Sequence, residues 1–146
     1  MSTDLNNPAF FAYAIAALVL CLNLLALWGY SGVVRARTGT AINPEDSARF
    51  GVALSETDPP AVARVLRAHR NAEAVIYPFL LLGLVFVLAG GSGGLAKILF
   101  GIFAAARLLH SCAYVSGLQP WRTGFFVVSA LTLVALMASI LVLLAH

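Results

Sequence analysis

Four apolar runs constrain this chain more than any other feature of its sequence. They cover Phe10–Tyr30, Ala74–Ala89, Leu95–Ser116 and Trp121–Ala145. A helix needs about 20 apolar residues to cross the hydrocarbon core of a bilayer. Of all residues 61% are hydrophobic and only 10% are charged, whereas about 25% are charged in an ordinary soluble domain. The sequence therefore predicts an all-α integral membrane protein, a bundle of four transmembrane helices in one domain over residues 1–146.

The second apolar run continues a polar stretch without a break. The sequence "RVLRAHRNAEAVIYPF" leads from Arg64 to Phe79, and "DPP" before it predicts a helix start with Asp58 as the N-cap. A helix from Pro60 to Ala89 would be roughly 45 Å long, at 1.5 Å per residue. Because the hydrocarbon core is about 30 Å thick, the first turns of this helix must lie outside the lipid tails or be shielded by other helices.

Polar and glycine-rich segments separate the four runs. Ser31–Thr57 is expected to be a long connection, and "GGSGG" at Gly90–Gly94 predicts a tight hairpin. The segment "SGLQP" ends at Pro120, a residue suited to the start of the next helix.

Basic residues predict the orientation of the chain. Six of the nine Lys and Arg lie between Arg35 and Arg70, and basic connections face the cytoplasm. Both termini are then expected outside, with Lys97 as a lone cation in the opposite connection. The clustering indicates orientation and not a nucleic-acid site.

No basic segment precedes the first run, which indicates a retained helix and not a cleaved signal. Cys21 and Cys112 lie in apolar runs and are expected to be free.

Polar side chains share one face of the second span. A face about 160° wide, at 100° per residue, carries Arg67, Arg70, Asn71, Glu73 and Tyr77. The third span places Arg107, His110 and Tyr114 within about 60° of each other. A charge deep in an apolar span is costly, so Arg107 is expected to face the protein interior.

Clustered arginines suit carboxylates, because the guanidinium fork can bind both carboxylate oxygens. Glu73, Glu45 and Asp46 could receive an ammonium group. A ligand with carboxylates and an amine, held at the cytoplasmic edge of an apolar groove, fits this set, and a tripeptide thiol is one such ligand. Structural alternatives stay open: Arg107 as an ion pair with Glu73, and His110 as a satisfied core histidine. No metal site is predicted from the three histidines.

Four motifs carry a family resemblance. "NPED" at Asn43–Asp46, "LRAHRN" at Leu66–Asn71, "IYPFL" at Ile76–Leu80 and "ARLLHSCAY" at Ala106–Tyr114 resemble the membrane-associated proteins in eicosanoid and glutathione metabolism, the MAPEG family. The resemblance covers nearly the whole chain and is strongest to the prostaglandin E synthase branch. It implies a four-helix membrane bundle that forms a homotrimer, with glutathione bound between subunits near the cytoplasmic side.

The resemblance also implies roles for individual residues. Glutathione-binding positions are matched by Arg35, Arg70, Asn71, His110, Tyr114 and Arg122, with Arg67 and Arg107 in the surrounding charged network and Glu73 as a candidate for the ligand amine. Arg122 matches the arginine of the catalytic step, and Asp46 matches an acid proposed to cooperate with it. Thr123 stands where the branch has a serine and keeps a hydroxyl.

This sequence departs from the family pattern at three points. The family has Asn-x-x-Glu after its arginine, whereas "NAEA" puts Glu73 one residue early and Ala74 at the expected place. Phe126 replaces a tyrosine one turn after Arg122. The connection after Tyr114 is one residue shorter, so the match at Arg122 assumes a gap.

The expected function is that of a glutathione-dependent membrane enzyme. It would act as a transferase, a peroxidase or an isomerase like prostaglandin E synthase, on apolar electrophiles or lipid peroxides drawn from the bilayer. The bilayer would be a bacterial inner membrane or a membrane of the endoplasmic-reticulum type. A non-catalytic lipid-binding or scaffold member of the same family is the rival. A small transporter is disfavoured, because the sequence lacks broken helices and internal repeats.

Overall fold

The computed structural model describes residues 7–145, and all four apolar runs are helical in it. These helices are α1 (Pro8–Thr38), α3 (Pro60–Leu88), α4 (Gly93–Val115) and α5 (Trp121–Leu144). Each is long and apolar enough to cross a membrane. The predicted four-helix membrane architecture is confirmed, and the chain is an integral, multi-pass membrane protein.

The first connection is more ordered than the sequence predicted. α1 continues to Thr38 instead of ending at Tyr30, and it stops at Gly39, which has the left-handed φ of 62°. A short helix, α2 (Pro44–Phe50), follows. It lies between the strands β1 (Thr40–Ala41) and β2 (Ala53–Leu54), which pair in parallel. The prediction of a loop from Ser31 was wrong, because residues 31–38 contain no proline and a single glycine, Gly32, and because Arg35 and Arg37 stabilise the negative C-terminal end of the helix dipole.

α3 begins at Pro60 as predicted, but Asp58 is not its N-cap. The cap position is Pro59, and it makes no side-chain hydrogen bond. Asp58 Oδ1 instead accepts a hydrogen bond from Arg35 Nη2 at 2.5 Å. This ion pair ties the segment before α3 to the last turns of α1.

The glycine-rich turn before α4 is shorter than predicted. Gly90 takes a φ of 80°, and Ser92 Oγ caps α4 by accepting from the Leu95 amide at 3.3 Å. Gly93 and Gly94 therefore belong to the helix.

Aromatic rings hold α3 and α4 together at the centre of the bundle. Phe79 stacks on Phe103 with ring centroids 3.9 Å apart and meets the edge of Phe100 at 5.4 Å. All of these rings are buried. Asn23 of α1 donates to Ser111 Oγ of α4 at 3.0 Å, a buried polar bond between the two helices. Both cysteines are free.

Candidate functional site

A cavity of about 280 Å³ opens between α3, the end of α4 and the start of α5. We name it the α4–α5 cavity. It is lined by Asn71, His110, Tyr114, Arg122, Thr123 and Phe126. One turn of helix separates His110 from Tyr114, so their side chains lie on the same face of α4. The cavity thus brings together side chains from three helices, α3, α4 and α5, that are distant in sequence.

Arg122 is held from two sides at this cavity. Its guanidinium carbon lies 4.7 Å from the centroid of the Tyr114 ring, within the range of a cation–π contact. Because a guanidinium only donates, the Gln119 side chain turns its amide oxygen towards Arg122, 3.1 Å from Nε and 2.6 Å from Nη2. The Gln119 amide nitrogen then donates to Thr123 Oγ1 at 3.1 Å.

Gln119 was missed by sequence reasoning. The available signal was its spacing. Gln119 lies three residues before Arg122 and four before Thr123. Side chains at this spacing can touch when a helix begins directly after Pro120. Its contacts orient the side chains of Arg122 and Thr123.

His110 is buried but incompletely bonded. Only 2% of its surface is exposed, its ring lies 5.6 Å from that of Tyr114, and Nδ1 has no hydrogen-bond partner among residues 7–145. A buried polar atom left without a partner costs about 1–3 kcal/mol. Within the described residues, His110 is therefore not fully satisfied as a core histidine would be.

Arg107 lies behind the cavity and does not line it. Its side chain has 0% exposure, and Nη2 donates to the Asn71 side-chain oxygen at 3.1 Å and to the Asn71 carbonyl oxygen at 3.4 Å. Glu73 does not approach Arg107. Glu73 Oε2 lies 3.4 Å from His69 Nδ1, and Oε1 accepts from the Tyr77 hydroxyl at 3.1 Å. The alternative of an Arg107–Glu73 ion pair is wrong.

Arg35 and Asp46 line a different cavity, of about 430 Å³, between the end of α1 and the first connection. We name it the α1 cavity. Its walls are Gly32, Arg35, Ala36, Thr40, Ala41, Asp46, Phe50 and Val52. Asp46 Oδ2 accepts from Asn43 Nδ2 at 3.0 Å. The α1 cavity and the α4–α5 cavity share no lining residue, so one chain does not assemble all the predicted site residues.

The remaining predicted cations lie on the outside of α3. Arg67 and Arg70 are exposed, on the same helix as the exposed apolar residues Leu81 and Leu88. Within the described residues, no group of His, Cys, Asp and Glu side chains could hold a metal ion.

Comparison with known proteins gives the family. The profile of the MAPEG family matches residues 13–142. Prostaglandin E synthase of Equus caballus is 39% identical over 81% of this chain and 81% of its own length. The human prostaglandin E synthase is 33% identical over 96% of this chain and 93% of its own length. Microsomal glutathione S-transferase 1 of Rattus norvegicus is 35% identical over 88% of this chain and 87% of its own. The chain belongs to the MAPEG family.

Proposed function

We propose that this protein is a glutathione-dependent membrane enzyme that acts on apolar electrophiles or lipid peroxides. The observation that carries the proposal is the α4–α5 cavity, where Arg122 and the Thr123 hydroxyl are held side by side at the end of the membrane spans. Family membership and the names of the relatives, prostaglandin E synthase and glutathione S-transferase, support it.

The residues of the α4–α5 cavity fit glutathione by their chemistry. Glutathione carries two carboxylates, peptide carbonyls and a thiol, and the cavity offers the cation of Arg122 together with the polar side chains of Asn71, His110 and Tyr114. No carboxylate lines this cavity among the described residues, so an anionic ligand meets no like charge there.

Arg122 and Thr123 would act on the sulfur. A cysteine-type thiol has a pKa of about 8.5, so only a few per cent is thiolate at neutral pH. The Arg122 cation favours the charged form and lowers the thiol pKa, and the Thr123 hydroxyl can donate a hydrogen bond to the same sulfur. Bound glutathione supplies a thiolate nucleophile for an electrophilic carbon or for a peroxide oxygen.

The complete site would lie between subunits of a homotrimer. Arg35 and Asp46 of one chain line a cavity separate from Arg122 of the same chain, so a neighbouring subunit is the route by which they can meet. A subunit interface would likewise cover Arg67 and Arg70, which are exposed in the single chain. In this arrangement Asp46 would cooperate with Arg122, and Arg35, Arg67 and Arg70 would complete the anion-binding wall.

Glu73 would not bind the amine of a glutathione held by its own chain. It is bonded to His69 and Tyr77 on its own helix, which leaves the amine of glutathione to an acid such as Asp46 or Glu45 of the adjoining subunit. The basic first connection would place both cavities at the cytoplasmic side, in a bacterial inner membrane or a membrane of the endoplasmic-reticulum type.

The proposed function is tested by turnover in reconstituted vesicles. Purified protein should conjugate glutathione to 1-chloro-2,4-dinitrobenzene, or reduce cumene hydroperoxide, faster than the thiol alone does. Protein that binds glutathione by calorimetry but accelerates neither reaction would instead be the non-catalytic member of the family. Absence of glutathione binding would remove both possibilities.

A further inference from the structure

Arg107 is a buried cation that has no carboxylate partner among the residues that the structure describes. Its side chain has 0% exposure, and among residues 7–145 Nε and Nη1 have no hydrogen-bond partner. Removing an ion from water without supplying a counter-charge is strongly unfavourable. Within the described part of the chain, Asn71 is the one side chain to which it donates, at 3.1 Å.

This contact decides which end of the Asn71 amide faces the ligand. A guanidinium has donors and no acceptor, so it can bond only the oxygen of the amide. With Oδ1 held by Arg107, the amide nitrogen of Asn71 points away from Arg107. Asn71 lines the α4–α5 cavity, whereas Arg107 does not.

We infer that Arg107 is a positioning residue that keeps Asn71 as a hydrogen-bond donor to an acceptor oxygen of the bound thiol peptide. The inference rests on the proposed function, since the acceptor belongs to glutathione. It gives Arg107 a role through Asn71 and not through direct contact with the ligand. The positive charge next to Oδ1 also polarises the amide, which makes its N–H groups stronger donors.

The first experiment is a double-mutant cycle on glutathione affinity, measured by calorimetry in nanodiscs. Arg107→Met removes the cation but keeps an apolar side chain of similar length, a change that buried ion sites often tolerate. We expect it to weaken binding about tenfold, the effect of one good hydrogen bond. Asn71→Leu should weaken binding by as much or more. The double variant should bind no more weakly than Asn71→Leu alone, because Arg107 has nothing to orient once the amide is gone. Additive losses would overturn the inference.

The second experiment keeps Arg107 and changes its partner. Asn71→Asp gives the buried guanidinium a counter-charge, so the melting temperature should rise by roughly 2–4 °C while glutathione binding weakens at least about tenfold. Asn23→Asp is the matched control, because Asn23 is a buried asparagine that donates to Ser111 and has no arginine partner in the described range 7–145. That variant should lower the melting temperature.

The outcomes separate this inference from the proposed function. If the wild-type protein does not bind glutathione, the proposed function fails. The melting temperatures of Asn71→Asp and Asn23→Asp then decide whether Arg107 bonds the side chain at position 71. A lower or unchanged melting temperature for Asn71→Asp, or a gain in glutathione affinity, would overturn the positioning role.

Discussion

At the scale of single residues, the site depends on how a few cations are held. Arg122 is fixed between the Tyr114 ring and the Gln119 amide, so little side-chain freedom remains to be lost when a negative charge develops beside it. A preorganised charge of this kind stabilises the charged state of a reaction more than the neutral ground state. Arg107, in contrast, does not line the cavity and would act through its hydrogen bond to Asn71.

Replacing Arg122 should affect chemistry more than binding. Arg122→Ala should lower kcat by about 10²–10³, in line with the loss of one electrostatic stabiliser, and raise KM much less. Thiolate absorbance near 240 nm in the glutathione complex should fall in parallel. Lys97→Ala, at the far end of α4, serves as the control for removal of a cation. An Arg122→Ala protein with normal turnover and reduced stability would mean that Arg122 only anchors α5 at the headgroups.

Arg70 should matter for affinity. Arg70→Ala should weaken glutathione binding by about 1.5–3 kcal/mol, the range for hydrogen bonds to charged groups. Arg70→Lys should recover only part of the loss, because an ammonium cannot bind both oxygens of a carboxylate in a planar fork. Calorimetry on the folded oligomer measures both. Unchanged affinity for Arg70→Ala would exclude Arg70 from the site.

At the scale of helices, much of the architecture follows from the sequence. Apolar length predicts all four spans, and the starts of α3 and α5 lie beside the prolines that predicted them. The extension of α1 to Thr38 was not predictable from hydropathy, because its last turns are polar and are stabilised by Arg35 bonding to Asp58 across the first connection. Contacts between residues distant in sequence leave no local signal.

The same limit applies to the site. Helical spacing predicts that His110 and Tyr114 share a face, and family motifs predict Asn71, Arg122 and Thr123. The partner of Arg107 could not be predicted from spacing alone. Glu73 and Asn71 are both on α3, and only the rotation of that helix against α4 decides which of them faces the guanidinium.

The orientation of the helices is open to a labelling test. Ser55 lies in the basic first connection and Gly94 at the opposite end of the spans. On a background with Cys21→Ala and Cys112→Ala, a membrane-impermeant maleimide added outside intact cells should label Gly94→Cys and not Ser55→Cys, given the positive-inside rule. Labelling of Ser55→Cys from outside would reverse the proposed orientation.

At the scale of the whole molecule, the division of predicted site residues between two cavities makes a subunit-mixing test possible. Arg35→Ala damages the α1 cavity and Arg122→Ala damages the α4–α5 cavity. In a ring of head-to-tail interfaces, co-expression of the two inactive variants should restore up to about a quarter of wild-type activity, because one interface in four pairs two intact halves. Mixing the variants after purification, without subunit exchange, is the control. No recovery in verified mixed oligomers would place the whole site within one chain.

The length of α3 has a consequence for kinetics. Its 29 residues measure roughly 44 Å at 1.5 Å per residue, so the helix carries its arginines out of the hydrocarbon while its last turns stay within it. Glutathione would therefore arrive by diffusion through water, and the apolar reactant by lateral diffusion in the lipid. Adding inert phospholipid at constant protein should raise the apparent KM of the apolar reactant by surface dilution and leave that of glutathione unchanged. Raising the ionic strength should weaken glutathione capture alone, since salt screens charges exposed to water.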